Sequence, residues 1–103
     1  MDAEKQAITR DQLDAARAWL KADIGVTHNQ RDEYYDALIC AAIKYIRRRG
    51  ITLDLCSDDD ISLVEMYAAH MHERRRTPTV AMPEFLRQEL NNRLLAGKMR
   101  PST

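Results

Sequence analysis

The chain has 103 residues, 45% of them hydrophobic, with three glycines, three prolines and no biased tract, which is the make-up of one globular domain and not of a disordered segment. Sixteen basic residues balance sixteen acidic ones, so no long-range field draws the whole molecule onto nucleic acid or an anionic membrane, and any basic function is local. No apolar run approaches the roughly 18 residues needed to span a bilayer, and Met1-Asp2-Ala3-Glu4-Lys5 has neither the basic flank nor the apolar stretch of a signal peptide, which points to the cytosol.

Leu, Ala, Glu, Arg and Gln outweigh Val and Thr, so the expected fold is all-α: a bundle of about four helices, with strand signals nearly absent. A single domain is expected over residues 9–97, with flexible ends at 1–8 and 98–103. The first helix begins at Thr9, whose hydroxyl and Gln12 make a capping box, and runs to about Ala22. Leu13, Ala16, Trp19 and Leu20 fall on its apolar face, with Arg10, Asp14, Arg17 and Lys21 opposite. Ile24-Gly25-Val26 turns the chain.

The second helix, about residues 29–49, is capped by Thr27 or Asn29, opens on Asp32 and Glu33 and closes on Arg47, Arg48 and Arg49 before Gly50. Acid at the start and base at the end complement the helix dipole, and glycine suits the left-handed residue beyond. Its apolar residues, from Tyr34 and Tyr35 to Tyr45 and Ile46, cover about half the circumference, which makes it the expected long central helix. Ile51-Thr52-Leu53-Asp54-Leu55 alternates like a strand but has no partner, and reads as an extended connection. Ser57 or Asp58 caps the third helix, whose stripe is Ile61, Val64, Tyr67, Ala68 and Met71, with Leu63 flanking it, before Arg74, Arg75 and Arg76 close it. Pro83 takes a first-turn position in the fourth helix, where Leu86, Leu90 and Leu94 form a narrow seam.

Chemistry is sparse. His70 and His72 are two apart on a helix and project about 200° from one another, so they cannot share a metal ion. Asp58, Asp59 and Asp60 lack the staggered ligands and central glycine of a calcium loop and mark a helix start. Cys40 and Cys56 lack metal or redox spacing and read as free thiols. No nucleophile motif, phosphate loop or spaced carboxylate pair appears, so neither an enzyme nor a cofactor or metal site is expected. The two arginine clusters, Arg47 to Arg49 and Arg74 to Arg76, are candidate contacts for DNA or an acidic partner, although a helix C-terminus favours cations in any case. Ala37, Cys40, Met66, Phe85 and Leu95 are apolar residues off their helices' apolar faces and are candidate subunit or partner contacts.

The order of these pieces resembles the small head-tail connector (adaptor) proteins of tailed double-stranded DNA phages. The resemblance is carried by Trp19-Leu20 closing a short first helix, with Ile24 beyond. It continues in the acidic entry Asp32-Glu33 followed by Leu38-Ile39 and Ala41-Ala42-Ile43-x-Tyr45-Ile46, and in Gly50. Ala68-Ala69-His70-Met71-His72-Glu73-Arg74-Arg75 and Met82-Pro83 complete it, His72 standing where the family tends to carry an aromatic. It implies a non-catalytic structural virion protein, made in the host cytoplasm, that forms a homo-oligomeric ring under the portal after DNA packaging. Such a ring extends the DNA channel and docks the next connector or tail protein; apart from the resemblance, balanced charge with two local arginine clusters predicts at most weak non-specific DNA contact, and no membrane partner is expected. A small DNA-binding or packaging accessory protein is the alternative, and a host-directed helical regulator a third; balanced charge and the lack of a basic, glycine-turned helix pair weigh against DNA binding.

Overall fold

In a computed structural model of the protein, which describes residues 7–99, the chain forms α1 (Arg10–Ile24), α2 (Asp32–Arg48), α3 (Asp58–Arg76) and α4 (Glu84–Met99). No strand occurs among the described residues. Most of the ends expected to be flexible, at 1–8 and 98–103, lies outside the described residues; within them, Ile8 packs against the core and α4 continues to Met99.

The capping box forms as expected: the Thr9 hydroxyl accepts from the Gln12 N–H at 3.1 Å, and the Thr9 N–H donates to Gln12 Oε1 at 2.9 Å. Gly25 then takes a left-handed φ of 77° that ends α1. The facing of α1 departs from expectation. Leu13, Ala16 and Leu20 turn inward, but Trp19 is 45% exposed, while Arg17 and Lys21, expected in solvent, lie against α2. Arg17 Nη1 sits 2.8 and 3.0 Å from the two Asp36 oxygens, and Lys21 Nζ donates to Asp32 Oδ1 at 2.8 Å and Asn29 Oδ1 at 3.0 Å. These long side chains bury their stems along α2 and exchange water for carboxylates at their heads.

That exchange also explains the entry to α2. Neither Thr27 nor Asn29 caps it; the capping position falls to Arg31 with no side-chain bond, because Asn29 is already held by Lys21. Tyr35, Leu38, Ile39, Ala42, Ile43 and Ile46 are buried from this helix. Even so, α3 occupies the centre expected for α2: it is the longer helix and packs against each of the other three. The connection 51–57 ends in a turn in which the Ser57 N–H donates to the Asp54 carbonyl at 2.9 Å, and Ile51, Leu53 and Leu55 enter the core. Asp60 fastens it, accepting the Asp54 N–H at 2.6 Å and pairing with Arg93 of α4. On α4, Leu86 and Leu90 are buried and Leu94 packs near Gly50. Pro83 stands one residue ahead of its expected place, its carbonyl accepting the Arg87 N–H at 3.0 Å.

Candidate functional site

The candidate contact residues divide between surfaces. Ala37 and Cys40 are exposed on α2, whereas Phe85 and Leu95 are 60% and 56% exposed on α4. Met66, expected on the outer side of its helix, is half-buried and packs against the core. The fold brings Met66 and Phe85 together, and both line three adjoining clefts. Neither Ala37 nor Cys40 lines any of the three.

The middle cleft, about 460 Å³, is walled by Trp19 and Asp23 of α1, Ser62, Glu65 and Met66 of α3 and Phe85 of α4. Sequence reasoning missed its two acids and its tryptophan. Glu65 is only 5% exposed, and its Oε2 has no hydrogen-bond partner. Burial, followed by hydrogen bonding to Asp23 and the negative charge of that neighbour, pushes its pKa up to about 8. The signal was present in the spacing: Ile61, Val64, Glu65 and Ala68 fall at i, i+3, i+4 and i+7, the positions of an inward helical face. Asp23 also lines the smaller cleft of about 210 Å³ with His70, Glu73 and Leu86. His70 is buried there and its pKa is lowered, first by burial and then by Arg74.

A carboxyl pair under an apolar rim can hold a proton or receive a cation. Among the described residues no group of three or more His, Cys, Asp or Glu is placed to hold a metal ion. His70 and His72 sit in different surroundings, as their spacing requires; His72 Nδ1 lies 2.9 Å from the Tyr34 hydroxyl.

The arginine clusters also part company. Arg48 and Arg49 are exposed, but Arg47 is half-buried, and its Nε and Nη2 are shut from solvent without partners. Arg74, Arg75 and Arg76 are all exposed. Arg75 lies 5.3 Å from the Tyr34 ring centre, and Arg31 comes to 4.2 Å of the same ring, so the second cluster gains an arginine that its sequence position did not suggest. No helix among the described residues is long and apolar enough to cross a membrane. Comparison with protein-family models, curated proteins and solved structures finds no significant match to this chain.

Proposed function

We propose that the protein is a structural subunit resembling a phage head-tail connector, which assembles as a ring under the portal, extends the DNA channel and docks the next connector or tail protein. It binds by shape and catalyses nothing, and its place is the virion after assembly in the host cytoplasm. The observation that carries the reading is the apolar relief where α1, α3 and α4 meet: Trp19 and Phe85 stand exposed around Met66, leaving clefts open on a chain of this size. Ring closure needs two different surfaces on each subunit, and the arginine-tipped end of α3 is a second, chemically opposite one.

Light scattering of the protein alone and mixed with its portal tests the reading. A closed oligomer, in solution or on the portal, is the expected result; a strictly monomeric species in both samples removes the connector reading. The packaging-accessory alternative has one observation in its favour, the convergence of Arg31 and Arg75 on Tyr34, which offers phosphate a basic and aromatic patch.

A further inference from the structure

We propose that the cleft of Trp19, Asp23, Glu65 and Phe85 receives an arginine from the end of α3 of a second copy of this chain, so that Arg74 to Arg76 of one subunit dock on the acidic cleft of the next. The inference rests on the ring reading for its head-to-tail geometry and names the contact that would build it.

Glu65 is the first observation. A carboxyl group that is 5% exposed with an orphaned oxygen is held protonated beside Asp23, and the pair has no counter-charge. The groups facing it do not supply one: α1 offers Asp23, α4 the Phe85 ring, and α3 itself places His70 and Glu73 in the adjoining cleft. No basic residue lines this cleft.

The second observation is the complementary surplus. Arg74, Arg75 and Arg76 are exposed and make no ion pair among the described residues. They cannot serve Glu65 of their own chain, because ten residues of helix separate Glu65 from Arg75 by about 15 Å along the axis, and Arg75 leans on Tyr34. Cleft and donor therefore lie apart along α3, so that each can serve a neighbouring subunit in the heterologous arrangement from which rings close. Trp19 and Phe85 add aromatic faces at the rim, against which a planar guanidinium stacks while its N–H groups pair with Asp23 and its charge draws off the proton held by Glu65.

Two variants separate the surfaces. One chain carries Arg74→Gln, Arg75→Gln and Arg76→Gln and keeps its cleft. The other carries Asp23→Asn, Glu65→Gln and Trp19→Phe and keeps its arginines. Mixed, they share one intact contact, so a one-to-one dimer should appear by light scattering. The emission of Trp19, the single tryptophan of the first chain, should shift. By carboxyl NMR, Glu65 of that chain should titrate below the value of about 8 that it has alone. Each variant by itself should associate at least about tenfold more weakly than the mixture. Circular dichroism melts establish that both are folded.

A mixture of folded variants that gives neither dimer nor Trp19 shift overturns the contact, as does wild-type-like assembly of the cleft variant. Wild-type rings beside a silent mixture would sink the arginine contact and leave the ring standing. A binding mixture beside wild-type chains that never close into rings would uphold the contact and sink the ring.

Discussion

At the scale of single residues, Glu65 has the largest consequence for stability. Its folded pKa of about 8 stands above the ordinary 4.5, so over the window between them the folded state holds a proton that the unfolded chain has released. Stability from this group is therefore greatest at low pH and falls as pH rises, the loss completing above about 8. His70 and His72 act in the opposite sense: burial lowers their pKa values, so their contribution rises with pH through the ordinary histidine range. The difference between wild type and Glu65→Gln isolates the carboxyl, since Gln fills the same space, can still donate to Asp23 and cannot ionise. Chemical denaturation of both proteins should show the variant gaining on the wild type from acid toward neutral pH, by up to about 3 kcal/mol near pH 7. A constant difference across the window would mean that Glu65 titrates as an exposed acid. Asp60 contrasts with it. Buried as well, it has the Asp54 N–H and Arg93 as partners, and so secures the fold instead of burdening it.

At the scale of elements, punctuation and facing were each legible in part: the capping box of α1 forms, whereas neither Thr27 nor Asn29 caps α2 and Ser57 stands at the start of α3 without a side-chain capping bond. Thr9 with Gln12 and Gly50 at a φ of 97° do what their residue types suggest, because caps and left-handed turns depend on local backbone chemistry, and the alternation of Ile51, Leu53 and Leu55 is matched by their burial. Facing depends on partners that spacing does not reveal. Arg17 and Lys21 read as solvent residues until Asp32 and Asp36 of α2 are opposite them, and Trp19 gives way on that account to smaller neighbours such as Ala16 and Leu20. The central position likewise went to α3, whose burial includes Asp60, Glu65 and His70, polar residues that an apolar stripe count passes over. Packing energetics follow the observed faces. Ile39 and Ile46 are fully buried, so Ile39→Ala and Ile46→Ala should each cost roughly 2 to 5 kcal/mol. Met66 is half-buried beside open clefts that can collapse around a smaller side chain, so Met66→Ala should cost about 1 kcal/mol or less in the monomer. Thermal unfolding of the three variants checks the ranking, and equal losses at all three sites would contradict the packing of α2 and α3.

At the scale of the whole molecule, zero net charge conceals separation: carboxylates gather where α1, α3 and α4 meet, and arginines gather at the ends of α2 and α3. A body of 46 × 32 × 18 Å is about two helices thick at its thinnest, so acidic and basic faces lie close together and their fields largely cancel beyond about a Debye length, near 8 Å at physiological ionic strength. DNA would therefore meet short-ranged attraction at Arg31 and Arg74 to Arg76 and repulsion from the acids nearby. A few phosphate contacts release few counterions, which sets weak affinity and a shallow dependence on salt. Sequence preference is not expected, because contacts made to phosphate carry no sequence information. Titrating short duplexes of unrelated sequence at low and near-physiological salt should show binding that fades as salt rises and ranks no sequence above another. Arg74→Gln with Arg75→Gln and Arg76→Gln should lower the salt slope by no more than about three phosphates' worth, roughly 0.9 for each. Such weakness suits a channel wall, since a ring that gripped its DNA would hinder ejection. Tight, sequence-dependent binding that survives salt and vanishes in the triple variant would instead favour the packaging-accessory reading over the connector.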